Sequence, residues 1–268
     1  TEIYTLSLHD ALPICSADAV PNLTYTRTGA ATAWRKDGTL VEFAPNVMRR
    51  TDAGVTTENQ RTNLLLNSAA LPTQSVTVTA AVHTISFNGT GTITLSGAST
   101  AGPLVGTGAN ERVSLTFTPT AGTLTVTVSG SVTYGQLEQA STPSTPIITT
   151  GAPATRGADN LSLAKTIAAG EDFTVVGKAR FTTTDFGRIF SWDTGIEADL
   201  IRISRRSDGV TSFVAEVGGT QTWRTFIDPI TGPVDIRYAI RRSGRALTAI
   251  VNGGPISAAI NIDRKSVV

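Results

Sequence analysis

The chain has 268 residues, a formal net charge of +1 and a single cysteine, Cys15. A nearly neutral chain does not favour nucleic acid or a membrane surface as its partner, and one cysteine excludes an internal disulfide or a paired-cysteine metal site. No apolar run approaches the ~20 residues that cross a bilayer as a helix, and the length suits one large or two modest domains with a real core.

Both ends of the chain look foreign to the rest. Residues 1–14 (TEIYTLSLHDALPI) resemble the translation of a common sequencing-adapter DNA, and residues 263–268 (DRKSVV) resemble the read-through at the opposite adapter. A signal peptide is the competing interpretation of the first segment, but it lacks a basic start, and His9 and Asp10 interrupt its apolar stretch. We therefore expect residues 1–15 and 263–268 to be artefacts, attached to a metagenomic fragment that covers residues 16–262.

Residues 16–63 contain brief extended pieces separated by turns. The apolar and β-branched residues at 23–26 (LTYT) and 40–43 (LVEF) predict short strands, and Lys36-Asp37-Gly38 predicts a turn between two of them. This region is too thin to bury a core of its own. We therefore expect it to pack on the domain that follows.

Residues 64–142 alternate between apolar residues and threonine or serine. The alternation is clearest at 84–87, 92–95, 113–118 and 123–128, and glycines lie between these runs. A period of two is typical of half-buried antiparallel strands. Between residues 64 and 155 only Glu111, Arg112 and Glu138 carry charge, so we expect the outward face to present hydroxyls, either to solvent or to another subunit.

A second β-rich region follows a proline-rich stretch. Residues 143–157 are almost uncharged and hold several prolines, which favours a linker. Residues 158–262 then show new alternating runs at 173–181, 200–206, 211–217 and 234–241. Since no segment has a convincing helical period, the sequence predicts an all-β protein with two antiparallel β-sandwich domains.

Four segments carry a resemblance to a family of tailed-phage virion proteins found in tail fibres, head fibres and spikes. The segments are residues 58–65 (ENQRTNLL), 89–97 (GTGTITLSG), 134–138 (YGQLE) and 145–159, which ends in TRGAD. The resemblance implies a jelly roll similar to carbohydrate-binding modules, followed by a sandwich of the concanavalin A or laminin G kind. It also implies a virion location after synthesis in the bacterial cytoplasm, other virion proteins as partners, a homotrimer, and contact with host-surface glycan. Strands that usually close the second sandwich are missing after Asn252-Gly253, so we expect that domain to be incomplete.

Catalytic groups are scarce in this sequence. His83 shares the parity of Ile85 and Phe87, which favours a hydrogen-bonded core or edge histidine over a catalytic or metal-binding one. Asp193, Glu197 and Asp199 cluster as glycosidase acids do, but Arg202 stands where the last acid of the concanavalin-like glucanase pattern belongs. We expect a non-enzymatic protein without metal or cofactor; a polysaccharide-cleaving domain of the concanavalin A-like class is the alternative.

Aromatic and basic residues of the second domain are the candidates for ligand binding. Trp223 and Arg224 follow a glycine pair, and Trp223 fits either a sugar-stacking platform or a core anchor. Arginines cluster on two predicted hairpins, where they form either a strip for an acidic glycan or local ion pairs; they are Arg202, Arg205, Arg206, Arg237, Arg241, Arg242 and Arg245. The predicted ligand-binding residues are Trp223, Arg224, Trp192, Asn252 and Arg241.

Overall fold

The computed structural model describes residues 2–6, 23–163, 171–181, 187–193, 200–205, 210–217, 220–227, 234–254 and 256–261. Within these ranges the protein consists of short strands in antiparallel sheets, with one parallel pair and no α-helix; one 3-10 turn spans Ser68–Ala70. The prediction of an all-β protein is therefore confirmed. The chain divides into an N-terminal unit, Pro13–Ala164, and a C-terminal unit formed by Thr1–Leu12 and Lys165–Val268.

The strands are numbered in chain order. The first, β1 (Glu2–Leu6), belongs to the C-terminal unit. The N-terminal unit contains β2 (Leu23–Thr26), β3 (Ala31–Trp34), β4 (Leu40–Phe43), β5 (Arg50–Thr51), β6 (Gly54–Val55), β7 (Arg61–Asn63), β8 (Gln74–Val78), β9 (His83–Gly89), β10 (Thr92–Gly97), β11 (Leu104–Val105), β12 (Gly108–Phe117), β13 (Gly122–Ser129), β14 (Val132–Glu138), β15 (Ala154–Arg156) and β16 (Asn160–Leu163). The C-terminal unit continues with β17 (Phe173–Phe181), β18 (Gly187–Asp193), β19 (Leu200–Arg205), β20 (Thr211–Val217), β21 (Thr220–Ile227), β22 (Val234–Ser243), β23 (Ala246–Val251) and β24 (Ile260–Asn261).

Two sheets of the N-terminal unit share one hydrophobic core. One sheet has the strand order β11-β10-β13-β8 and the other β12-β9-β14. The alternate apolar residues identified in the sequence meet in this core, among them Ile85, Phe87, Ile93, Leu124 and Val126, all of which are fully buried. Period-two burial of these side chains provides the main stabilisation of the unit.

The central strand β9 is buried on both faces. Thr84, Ser86 and Asn88 point away from the apolar core, yet each is fully buried. Arg112 of β12 explains part of this burial, because its guanidinium donates hydrogen bonds to Asn88 Oδ1 (3.1 Å) and Ser86 Oγ (2.8 Å). The polar face of β9 therefore lies under other protein groups, whereas Thr123 and Thr127 of β13 are exposed.

Small two-stranded pairings complete the N-terminal unit. They join β2 to β16, β3 to β4, β5 to β6 and β7 to β15. The β7–β15 and β2–β16 pairs bring residues before 64 against residues after 153. The stretch 143–157, which the sequence favoured as a linker, lies inside this unit and buries Ile147, Thr149 and Arg156.

The C-terminal unit also has two sheets that share a core. The strand orders are β1-β17-β22-β23-β24, with β1 parallel to β17, and β18-β19-β20-β21. Phe173, Ile236 and Ile240 of the first sheet pack in one cluster with Ile203 and Phe213 of the second. In the β17–β22 ladder Gly177 is paired with Tyr238, and a Cβ atom at Gly177 would lie 2.4 Å from Tyr238 Oη. The glycine therefore leaves the space that the tyrosine ring occupies.

The two expected foreign ends lie largely outside the described residues. Of the first 15 residues only β1 is described, and residues 262–268 are not described at all. The predicted turn at Ser207-Asp208-Gly209 and the glycine pair Gly218-Gly219 also lie outside the described residues. Within the described part of the chain, no helix is long and apolar enough to cross a membrane.

Candidate functional site

The N-terminal unit contains a buried ionic cluster, formed by Arg27, Arg49, Glu58, Arg156 and Asp159. Arg27 follows β2, Arg49 precedes β5, Arg156 ends β15, and the two acids precede β7 and β16. The side chains of the three arginines and of Asp159 are completely buried, and that of Glu58 is 21% exposed. Charges in such a place must be paired, because an unpaired buried ion is very costly.

Each carboxylate of the ionic cluster is held by two arginines. Glu58 Oε2 lies 2.6 Å from Arg49 Nη1 and 2.9 Å from Arg156 Nη1. Asp159 pairs with Arg27 at 3.2 Å and closely with Arg49. Arg49 therefore bridges the two acids, and the cluster forms one continuous network rather than separate pairs.

Hydroxyl and backbone donors complete this network. The backbone N–H and the hydroxyl of Thr145 donate to Glu58 at 2.8 and 2.6 Å. The backbone N–H of Glu58 donates to Asp159 Oδ2 at 2.7 Å, and the Tyr25 hydroxyl donates to Asp159 Oδ1. The cluster thus joins segments that are more than 80 residues apart in sequence.

The pKa values in the ionic cluster follow from burial and pairing. Burial alone would raise the pKa of Glu58, but Arg156, Arg49 and the hydrogen bonds from Thr145 outweigh it and hold this pKa below its ordinary value. The pKa of Asp159 is lowered in the same way, since burial is outweighed by its bond with Arg49. Both acids are therefore ionised at neutral pH and fully engaged, so neither is poised as a general acid or base.

A buried asparagine and glutamine extend the polar contacts toward β14. Asn63 Nδ2 donates to the carbonyls of Gly135 (3.0 Å) and Ile147 (2.9 Å), and Asn63 Oδ1 accepts from the backbone N–H of Leu137 (3.1 Å). The backbone N–H of Ile147 donates to Gln136 Oε1 at 2.6 Å. These contacts satisfy buried backbone groups that would otherwise lack partners.

The residues predicted to bind a ligand lie on different parts of the C-terminal unit. Trp223 and Arg224 are consecutive in the edge strand β21, so their side chains leave opposite faces of the sheet. Trp223 is 38% exposed. Arg224 bends toward the loop before β24, where it donates to the carbonyls of Ala258 (3.3 Å) and Ala259 (3.4 Å).

The other predicted residues do not join this pair. Asn252 has a φ of 51° in the turn after β23, and its side chain accepts from Arg237 N at 2.7 Å and donates to Asp235 O at 3.3 Å. Arg241 is exposed on the other sheet, in register with Thr174 and Thr248. Trp192 is in β18, in register with Ile201, and its side chain lies outside the described part.

A shallow depression of about 160 Å³ adjoins Arg224, Val251 and Ile256. Ligand pockets are usually at least about 300 Å³, so this depression is too small for a sugar chain. The Arg224 guanidinium already donates hydrogen bonds to backbone carbonyls of the loop.

The acids considered for polysaccharide cleavage cannot be placed as a group. Glu197 and Asp199 lie outside the described residues, and Asp193 is described only as the last residue of β18.

His83 is buried, with its Nδ1 2.8 Å from the carbonyl oxygen of Ala81. In the described ranges no group of histidine, cysteine and acidic side chains is arranged to hold a metal ion.

The sequence alone indicated no site role for Arg202 beyond membership of a basic strip. Arg202 of β19 and Trp223 of β21 lie in one row across the sheet, separated by Val214. The guanidinium carbon of Arg202 is 5.5 Å from the centre of the Trp223 ring. The partnership depends on strand register, which residue spacing alone does not give.

No protein-family model matches this chain, and no curated protein matches it.

Proposed function

We propose that this chain is a non-enzymatic structural component of a tailed-phage virion, part of a fibre or spike, which touches host-surface glycan through its C-terminal unit. In this proposal the N-terminal unit is a jelly roll similar to carbohydrate-binding modules. The C-terminal unit is a sandwich of the concanavalin A or laminin G kind. The native assembly is a homotrimer in contact with other virion proteins.

The observation that carries the proposal is where the resemblance segments lie. Glu58 and Asn63 from the first segment, Gln136 from the third, and Arg156 and Asp159 from the last all take part in the ionic cluster or its extension. In every case the side chain holds another segment of the unit in place. Residues used in this way support a scaffold role, in which a rigid uncharged sheet is presented rather than a reacting group.

The support for adhesion comes from the C-terminal unit. Trp223 exposes more than a third of its surface on an edge strand, where an aromatic ring is open to a sugar face.

The oligomer and the genetic context test the virion proposal. We expect light scattering during size exclusion to return a trimer of the 28.0 kDa chain at high concentration. We also expect genes for a portal, tail tube or terminase beside this reading frame in longer contiguous DNA. A clean monomer together with neighbours of unrelated function would overturn the proposal.

Glycan assays separate adhesion from cleavage. The full chain should be retained on at least one polysaccharide in a panel of bacterial capsules without releasing reducing sugar. Trp223→Ala should lose the retention, whereas Ile256→Ala, which removes another exposed apolar side chain of the same unit, should keep it. Release of reducing ends that Glu197→Gln abolishes would instead favour the polysaccharide-cleaving alternative.

A further inference from the structure

We propose that Arg202 and Trp223 form one recognition site for a carboxylate-bearing sugar, such as a hexuronic acid unit of an acidic polysaccharide. This inference rests on the proposed glycan adhesion and names the chemistry that the C-terminal unit would select. The site consists of Arg202, Trp223, Glu216 and Gln221, which share the face of β18–β21 opposite the hydrophobic core.

Strand register brings these side chains together. Arg202 pairs with Val214, and Val214 pairs with Trp223, so the three lie in one row on the same face. In the next row Glu216 pairs with Gln221, whose Nε2 donates to Glu216 Oε2 at 2.7 Å. The face therefore places a cation, an aromatic ring, a carboxylate and an amide at neighbouring positions of adjacent strands; Trp223 and Gln221 are exposed, whereas Arg202 and Glu216 are largely buried.

Arg202 is the unusual member, because its charge has no acidic partner in the part of the chain that the structure describes. Only 8% of the residue is exposed, and its Nε is buried without a hydrogen-bond acceptor. The Trp223 ring supplies a cation–π contact at 5.5 Å, which is weaker than an ion pair. A largely buried guanidinium gains most from a ligand anion, since a carboxylate can accept a charge-assisted hydrogen bond from the Nε–H that has no acceptor among the described residues.

The neighbours indicate a sugar rather than a simple anion. The exposed part of the Trp223 ring offers apolar surface to the C–H groups of a pyranose. Gln221 is exposed beside it and uses its amide nitrogen on Glu216, which leaves the amide oxygen to accept from a sugar hydroxyl.

Polymers that differ only in their carboxyl groups test this inference. The full chain is run in affinity electrophoresis through polygalacturonate, hyaluronan and alginate, each compared with its carboxyl-reduced form, and through neutral dextran and mannan. We expect retention by at least one acidic polymer to be about tenfold stronger than by its reduced form, as one charge-assisted bidentate contact predicts. Added salt should narrow this difference.

Variants assign the effect to the site. Arg202→Gln should remove the preference for the acidic form while retaining weak binding to the reduced form, and Trp223→Ala should weaken both. Arg180→Gln is the control for loss of one positive charge, since Arg180 is 59% exposed on the other sheet, and it should leave the preference intact. Circular dichroism of each variant should match the parent.

Four results would overturn the inference, and they bear differently on the proposed function. Equal retention on acidic and reduced polymers, or an unchanged preference in a folded Arg202→Gln variant, removes the carboxylate site and leaves glycan adhesion standing. A stronger response to sulfated dextran than to every carboxylated polymer also removes it. Absence of retention on all acidic and neutral polymers removes both proposals.

Discussion

At the residue scale, Glu58 is the acid on which most of the ionic cluster depends. It accepts from Arg49, from Arg156 and from Thr145, and the last two are distant from Glu58 along the chain. Removing its charge leaves Arg156 without its ion-pair partner while the guanidinium stays buried. We expect Glu58→Gln to lower the free energy of unfolding by about 3 kcal/mol, the usual cost of breaking a buried ion pair on one side.

Urea titration followed by far-ultraviolet circular dichroism measures this loss. Glu111→Gln is the matched control, because Glu111 is an exposed acid on β12 of the same unit, and its change should stay within about 0.5 kcal/mol. Equal effects of the two substitutions would show that the ionic cluster adds nothing beyond surface charge.

The lowered pKa values of Glu58 and Asp159 also predict how stability changes with pH. A carboxyl group whose pKa is lower in the folded than in the unfolded state makes the unfolded chain bind more protons in acid. The contribution is therefore complete above the ordinary pKa of about 4 and disappears as the pH falls through the folded-state values. We expect the urea midpoint of the N-terminal unit to drop steeply below about pH 4.

Substitution identifies the groups behind this acid sensitivity. In Glu58→Gln and Asp159→Asn the midpoint should be lower at pH 7 and should fall less between pH 5 and pH 3. A parent protein and variants with parallel pH profiles would contradict the assignment of the acid sensitivity to these two carboxylates.

At the element scale, β17 and β22 pack closely at one residue pair, Gly177 and Tyr238. The Tyr238 ring lies where a side chain at Gly177 would be, with Tyr238 Cζ only 2.5 Å from the position of a Cβ atom. We expect Gly177→Ala to destabilise the C-terminal unit by about 1–3 kcal/mol, because the buried ring must shift. Thermal unfolding of the variant measures the effect.

A second substitution separates crowding from a change in backbone preference. In the Tyr238→Leu background, Gly177→Ala should cost clearly less, because the atoms that crowd the new methyl group are gone. Gly151→Ala is the control in an exposed position with nothing within 4 Å of the added carbon, and it should be nearly neutral. An undiminished cost in the Tyr238→Leu background would exclude steric crowding as the cause.

The sequence predicted the strands well, but it did not predict that the polar face of one of them is buried. Period two identified β9, β10, β12 and β13 and the apolar residues that enter the core, because alternate burial is a property of each strand by itself. Nothing local indicated that Ser86 and Asn88 would be buried too. Their cover includes Arg112 of another strand, so it depends on tertiary pairing.

The ionic cluster and the Arg202–Trp223 pair also depend on tertiary pairing, which the sequence alone did not predict. Glu58, Arg156 and Asp159 stood out only as parts of motifs, since their pairing requires β7 and β15 to be side by side. Arg202 and Trp223 are likewise joined by the register of three strands. The predicted group of Trp223, Arg224, Trp192, Asn252 and Arg241 rested on residue type and on predicted loop and hairpin positions, which do not show which residues of different strands come together.

At the scale of the whole molecule, two hydrophobic clusters, one in each unit, predict two unfolding transitions. The three tryptophans can report them separately, because Trp34 belongs to the N-terminal unit and Trp192 and Trp223 to the C-terminal unit. The fluorescence of a variant with Trp192→Phe and Trp223→Phe should report unfolding of the N-terminal unit. The fluorescence of Trp34→Phe should report unfolding of the C-terminal unit. Since the ionic cluster is in the N-terminal unit, lowering the pH from 7 to 3 should move the Trp34 signal to lower urea more than the signal of the other two. Fluorescence transitions that coincide at both pH values would show that the units unfold as one and would refute the prediction.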